Sequence, residues 1–351
     1  MFDVPTDAPE ADGTFAWSKT TLVVVEATAR GARGLGYTYA DRATAELVRD
    51  VLAGAVRGLD PFDVPAAFAR MTRAVRNLGR PGVAAMAISA VDAALWDLKA
   101  KLFGVPLAKL LGTARDAVDL YGSGGFTSYS IDRLRRQLGG WAADGFSRVK
   151  MKVGTDPGAD LRRAREARDA IGPETELFVD ANGAYTRKQA LAFADAYAAL
   201  DVKWFEEPVS SDDLEGLRLL RDRGPAGMAV AAGEYGYHAA YFRRMLEAGA
   251  VDVLQADATR CGGITGFLQV DALCHARSIP LSGHCAPSLH AHVACAAQSL
   301  VHLEWFHDHV RIEHMLFDGA PTPVGGRLRP DLDRPGLGLE LKRADAERFA
   351  A

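Results

Sequence analysis

Arg148-Val149-Lys150-Met151-Lys152-Val153-Gly154, residues 148–154, decides how the chain is read. The run alternates and is bounded by Gly145 and Gly154, as a strand is. Side chains two apart in a strand share a face, so Lys150 and Lys152 point the same way. Two ammonium groups on one inward face are unfavourable unless something anionic sits between them. Each lowers the other's tendency to protonate, and burial acts in the same direction. A lysine so placed is usable as a base near neutral pH. An isolated Lys-x-Lys is ordinarily a solvated pair on an edge strand. The chain downstream of this one reverses that expectation.

From about residue 116 the sequence repeats strand and helix. Strands are predicted over 117–121, 148–153, 176–180, 202–206, 228–233, 252–256, 279–283 and 301–305, and most gaps carry helical sequence. Leu161 to Ile171 is one such helix, stopped by Gly172-Pro173. Eight strands with crossovers predict an α/β fold, a (β/α)8-type barrel of the TIM kind, over 116–320. The last crossover is weak, with room for only a short helix after Phe306.

Upstream, residues 1–115 read as an α+β unit. Thr20 to Glu26 is one strand and Gly36 to Tyr39 a second. Helical periodicity follows over 43–59, 65–75 and 83–101, the third helix rich in small apolar residues. The Gly/Pro-rich segment 321–351 is expected to return to this unit.

Composition narrows the function. In 351 residues, 48% are hydrophobic and 25% charged, which is ordinary for a soluble domain. A net charge of -4 with interspersed signs argues against a nucleic-acid partner. No apolar run approaches the roughly 20 residues of a membrane span. The N-terminus has no basic region followed by an apolar core. Cys261, Cys274, Cys285 and Cys295 lack metal-site spacing and read as small core residues. A reduced, cytoplasmic protein is the simplest expectation.

In such a barrel, chemistry sits at the C-terminal ends of the strands. Those ends carry Lys150 and Lys152, Asp180, Glu206, Glu234, Asp257, His284 and Glu304, at intervals of 28, 26, 28, 23, 27 and 20 residues from Lys152. Asp180, Glu206 and Glu234 on consecutive strands converge into an oxygen-rich set. Oxygen ligands without a soft partner suit Mg²⁺. Asp257 beside His284 would fix the imidazole tautomer and raise its basicity. The remaining histidines receive no role.

In this order the segments Lys150-Met151-Lys152, Asp180-Ala181-Asn182, Phe205-Glu206-Glu207-Pro208, Ala232-Gly233-Glu234, Asp257 with Gly262-Gly263-Ile264-Thr265, Ser282-Gly283-His284 and Leu303-Glu304 resemble the enolase superfamily, mandelate racemase subgroup. The resemblance implies a capping domain over the barrel, completed by the C-terminal tail. It implies one Mg²⁺ per active site on Asp180, Glu206 and Glu234. Lys152 would be the base on one face of the substrate and His284, with Asp257, the acid/base on the other. Lys150 and Glu304 would hold the substrate carboxylate, Glu304 as a protonated donor. Asn182, Arg260 and Ser282 are further candidates for substrate contact. A lysine in place of the His-Asp pair would have pointed to the muconate-cycloisomerase or dipeptide-epimerase branch.

The implied reaction is abstraction of the α-proton of a small hydroxycarboxylate to an enediolate. Dehydration of an acid sugar is the first reading. Racemisation or epimerisation by 1,1-proton transfer and cycloisomerisation are the alternatives. A non-catalytic binding protein on a decayed barrel is the rival of another class, and no ligand or acid/base position is missing. The resemblance also implies a homo-oligomer, dimer or octamer. In one respect the chain departs from the family, since most of the usual first strand looks absent before Val4.

Overall fold

In the computed structural model, which describes residues 1–351, the chain opens with a three-stranded antiparallel sheet in the order β1-β2-β3. These strands are β1 Phe2–Ala11, β2 Ala16–Ala29 and β3 Ala32–Tyr39. The first strand is therefore present, against expectation. It runs from Phe2 opposite Leu22 to Ala11 opposite Ala16. Pro5, Pro9 and the interspersed acids hide it from a periodicity search. They are tolerated because β1 lies at the sheet edge, where a missing N–H leaves no partner unpaired.

Helices α1 Arg42–Leu47, α2 Ala53–Val56, α3 Val64–Ala74, α4 Val83–Phe103 and α5 Leu107–Leu111 follow. The single helix expected over 43–59 is broken by a π-helical turn, Val48–Leu52. That turn carries Leu52, fully buried, into a small cluster with Phe68 and Met71 of α3 and Ile88 of α4. Tertiary packing has overridden the local period here.

The barrel is then laid down in alternation. Its elements are β4 Val118–Gly124, α6 Ile131–Ala143, β5 Arg148–Lys152, α7 Pro157–Ile171, β6 Glu176–Asp180, α8 Arg187–Ala198, β7 Val202–Glu206 and α9 Leu214–Arg223. They continue with β8 Ala229–Ala232, α10 Ala239–Glu247, β9 Val253–Ala256, α11 Gly263–Arg277, β10 Leu281–Gly283, α12 Pro287–Ala296, β11 Leu300–Phe306 and α13 His307–Leu316. All eight strands are parallel, and β11 closes on β4 with Leu303 opposite Leu120 and Phe306 opposite Ser123. In β5, Val149 and Met151 enter the main core while Lys150 and Lys152 turn into the barrel. Tyr121, Phe178 and Trp204 fill the interior beneath them, with Phe178 and Trp204 stacked at 5.1 Å.

Short pieces complete the chain: β12 Phe317–Asp318, β13 Arg327–Leu328, β14 Glu340–Leu341 and α14 Arg343–Ala346. The tail's return to the first unit is only partial. β13 pairs with β4 of the barrel, whereas Arg343 binds Glu26 of β2 and Ala350 bridges Phe2. One cluster of 65 buried residues includes Val4, Leu22 and Tyr37 together with the barrel shell, so cap and barrel share a core. No helix is long and apolar enough to cross a membrane.

Asp97 of α4 ties three parts together. Its carboxylate accepts from Leu35 N and Leu337 N, both at 2.6 Å, and pairs with Lys101 at 2.7 Å. Burial raises its pKa, and these partners oppose the shift. Asp97→Ala leaves two buried amides and an ammonium unpartnered, which should lower unfolding free energy by about 3 kcal/mol. Urea unfolding of the variant checks this, and a change within about 0.5 kcal/mol, typical of surface substitutions, would refute it.

Candidate active site

Each predicted site residue except Ser282 lies at the C-terminal mouth of the barrel. Lys150 Nζ sits 2.6 Å from Glu206 Oε1, 2.9 Å from Glu304 Oε1 and 3.5 Å from Asp180 Oδ2. Lys152 pairs with Asp180 Oδ2. Both lysines are buried. Burial disfavours their ammonium forms, but the surrounding carboxylates outweigh it and hold both above the ordinary lysine range. The expectation that the two lysines depress one another is thereby corrected. Lys150 does lower Lys152, and Asp180 raises it more.

Glu304 is also corrected. Its Oε1 faces Lys150 and its Oε2 accepts from Cys285 N at 3.0 Å. Burial raises its pKa, yet the charges of Lys150 and His284 hold it well below the usual carboxylate range. Both its oxygens face donors, which favours the carboxylate over the expected protonated form.

Asp180, Glu206 and Glu234 bring their ligand atoms within 4.8 Å of one another, all buried. Gly233, at φ +137°, makes this possible: a Cβ there would meet Gln255 O at 2.1 Å. The chain can turn Glu234 inward only at a glycine. Glu234 Oε2 has no hydrogen-bond partner among well-aligned donors. Glu206 is pushed up to about 8 by burial and by Asp180. Glu207, also buried, rises well above the usual range through burial and Glu234. Six acids here, Asp180, Glu206, Glu207, Glu234, Asp257 and Glu304, face four cationic groups, Lys150, Lys152, Arg260 and His284. Two more acids than cationic groups, together with the all-oxygen donor set, fit a hard divalent cation such as Mg²⁺.

His284 Nδ1 lies 2.9 Å from Asp257 Oδ2, and its Nε2 lies 3.2 Å from Glu234 Oε2. Burial lowers the imidazole's pKa, but Cys285, Glu234, Glu304 and Asp257 together raise it well above the ordinary value. Asp257 is held well below its own range, burial being outweighed by His284.

Arg260 reaches the site but is already engaged. It donates to Glu234 O at 3.1 Å and lies 5.5 Å over the Tyr235 ring. The backbone N–H of Asn182 donates to Asp180 Oδ1 at 2.9 Å, and the Asn182 side-chain Oδ1 is unpartnered. Ser282 does not reach the mouth. It is fully buried inside the barrel, 2.9 Å from His302 Nδ1.

A cavity of about 540 Å³ opens above these groups. Lys152, Asn182, Glu234, Arg260 and His284 form its floor, and the β1–β2 hairpin with Trp17 and Lys19 forms its roof. Gly13 at the hairpin tip packs on the barrel so closely that a Cβ would meet Ala181 O at 2.2 Å. Sequence reasoning missed Cys285, Phe306 and His309, which also line the cavity. Cys285 and Phe306 flank named residues. His309 stacks on Tyr39 at 3.4 Å, a contact across 270 residues that no local pattern announces. Glu207 could have been found from its place in Phe205-Glu206-Glu207-Pro208.

Comparison with known proteins agrees with this geometry. Residues 2–112 match the family model of the mandelate racemase / muconate lactonizing enzyme N-terminal domain, and residues 133–346 match the enolase C-terminal domain-like model. A mandelate racemase/muconate lactonizing enzyme-like protein from Rubrobacter xylanophilus is 59% identical. Its structure superposes with a TM-score of 0.98 over 100% of this chain and 97% of that one. A racemase from Streptomyces coelicolor A3(2) with bound magnesium is 31% identical, with a TM-score of 0.93 over 100% and 98% of the two chains. The L-talarate/galactarate dehydratase of Salmonella typhimurium is 33% identical over 333 residues, 92% of this chain and 81% of that one. The chain belongs to the mandelate racemase/muconate lactonizing enzyme family of the enolase superfamily.

Proposed function

We propose that this chain is an Mg²⁺-dependent lyase that dehydrates an acid sugar through an enediolate. One observation carries the reading: Lys152 and His284 face a single cavity from across the barrel mouth, over three converging carboxylates. Lys152 ends the barrel's second strand and His284 follows its seventh, while Asp180, Glu206 and Glu234 belong to the third, fourth and fifth. The likeness to the talarate/galactarate dehydratase supports dehydration over the other outcomes.

Asp180, Glu206 and Glu234 would hold the cation, which when bound would supply electrostatic stabilisation of the charge that builds on the substrate carboxylate. Lys150 meets that carboxylate, kept in place by Glu304 at 2.9 Å. Lys152 removes the α-proton. It can do so only when Asp180 is engaged elsewhere, since that carboxylate otherwise keeps it an ammonium. His284 Nε2 gives a proton to the departing β-hydroxyl, with Asp257 fixing the ring through Nδ1. Asn182 and Arg260 meet the remaining hydroxyls.

Racemisation is the second reading, favoured by the same opposed placement of Lys152 and His284 and by the likeness to the Streptomyces racemase. Cycloisomerisation keeps the same first step. The reading also takes residues 1–115 as the cap, 116–320 as the catalytic barrel and 321–351 as a closing segment. It includes a homo-oligomer, dimer or octamer, working in the cytoplasm, where four free buried cysteines are at home.

Three outcomes test this. A screen of mono- and diacid sugars in D2O with Mg²⁺ should give a 2-keto acid from one of them, seen by NMR and a keto-acid assay. Deuterium uptake at the α-carbon without keto product would replace dehydration by racemisation, and silence from protein shown to bind Mg²⁺ would sink both.

Lys152→Ala should lower kcat by roughly 10²–10⁴-fold while Mg²⁺ binding, followed by calorimetry, persists. Retained turnover would remove Lys152 from the base position.

His284→Asn should abolish keto product yet keep α-proton exchange with solvent, because Lys152 is untouched. Loss of both in a folded variant would make His284 the proton-abstracting group.

A further inference from the structure

Away from the active site, a second group of ligating side chains joins the cap to the barrel. Asp7 and Glu10 of β1 and His307, the first residue of α13, bring one ligand atom each within 4.8 Å of one another. β1 is irregular at this point. Pro5 pairs with Lys19 and Glu10 with Trp17, so five steps on β1 span two on β2. A bulge of this kind re-aims side chains, and here Asp7 and Glu10 both reach His307.

The hydrogen bonding leaves a gap that a cation would fill. Glu10 is fully buried, its Oε2 accepts from Trp17 Nε1 at 3.0 Å, and its Oε1 has no partner. Asp7 Oδ1 is held by Arg133 at 2.9 Å, while its Oδ2 lies 3.2 Å from His307 Nε2. Three carboxylates, Asp7, Glu10 and Asp308, share this seam with two permanent cations, Arg133 and Arg311. The acids outnumber these cations by one, and burial with the charges of Asp308 and Asp7 pushes Glu10 up to about 8.

We infer that Asp7 Oδ2, Glu10 Oε1 and His307 Nε2 form a site for a divalent transition cation, Zn²⁺ being the probe of choice, which staples the roof of the active-site cavity to the end of the barrel's eighth strand. One imidazole with two carboxylates suits borderline cations over Mg²⁺ or Ca²⁺. Tetrahedral Zn²⁺ places its ligand atoms about 3.4 Å apart. The Asp7–His307 pair is already at 3.2 Å, and the ligand atom of Glu10 lies within 4.8 Å of both. The staple bears on the roof through Trp17, which lines the cavity, binds Glu10 and packs edge-on against Phe126 at 5.4 Å.

The test uses the full-length protein in excess Mg²⁺, titrated with Zn²⁺ by equilibrium dialysis and metal analysis. The wild type should bind one Zn²⁺ per chain at a site that His307→Ala and Glu10→Gln each weaken by about a hundredfold. Co²⁺ in the same site should give a d–d band without sulfur-to-cobalt charge transfer. Zn²⁺ should slow amide exchange of residues 6–18 in the wild type and not in His307→Ala. No Zn²⁺ retained by the wild type, or Zn²⁺ held equally by both variants, would overturn the site. Binding without slower exchange would overturn the staple. None of these readouts depends on turnover, so the outcome is independent of the proposed reaction.

Discussion

Everything at the mouth of this barrel depends on a buried imbalance of charge. Lys150 and Lys152 are tolerated in the interior only because Asp180, Glu206 and Glu304 surround them. Stripping one partner from a buried ion pair costs several kcal/mol, so the acids and bases hold one another in place. The balance is nevertheless incomplete, with six carboxylates against four cationic groups. With two more acids than cationic groups and no further cation, two of the acids can be buried only by holding protons. The surplus is intelligible as a seat for a divalent cation, and it explains why Glu206 and Glu207 are the groups whose pKa values rise. A cation that drew Asp180 away from Lys152 would also remove the partner that does most to raise that lysine's pKa.

The rest of the fold keeps that arrangement dry and shaped. Tyr121, Phe178 and Trp204 seal the barrel below, and Lys150 lies 5.2 Å over the Tyr121 ring. Above, the cap is bound firmly enough to act as a wall. Asp92 of α4, buried and pushed up to about 7 by that burial, accepts from Thr265 N at 2.9 Å and Thr265 Oγ1 at 2.7 Å on α11. Tyr37 and Tyr39 of β3 both reach Glu313 of α13, at 2.7 and 3.2 Å. Exclusion of water from the cavity strengthens every charge interaction inside it, and the cap supplies that wall through Trp17 and Tyr39 among others.

Much of this was legible in the sequence because parallel barrels repeat. Strands predicted at 148–153, 176–180 and 202–206 match β5, β6 and β7 to within a residue. Once the strand ends were placed, the order of polar residues at those ends followed. What could not be read depends on partners distant in sequence. Local alternation put Lys150 and Lys152 on one face, yet their charge state is set by carboxylates 28 to 154 residues away. The pKa of Glu304 is lowered in the same way, by Lys150 and His284. Ser282 stands two residues before His284 and still points elsewhere, because it lies within β10 and faces His302 while His284 has left the strand. β1 escaped because Pro5, Pro9 and the register shift between Pro5 and Glu10 interrupt the alternation by which a strand is recognised.

The same division explains why the reaction class is easier to read than the substrate. The reacting groups come from strand ends, whose spacing the barrel fixes and whose charges must balance. The cavity roof comes from the turn between β1 and β2, with Phe15 about two-thirds exposed at 68% and Trp17 beside it, stacked at 6.3 Å. No charge balance with the carboxylates below dictates Phe15, and Trp17 hydrogen-bonds to Glu10 of the cap rather than to the barrel. A roof residue can change without disturbing the carboxylates beneath, whereas a change at Asp180 or Lys152 leaves a buried charge unpaired. Substrate choice can therefore vary within one family while the proton chemistry stays, because the two are held by different parts of the chain under different energetic constraints.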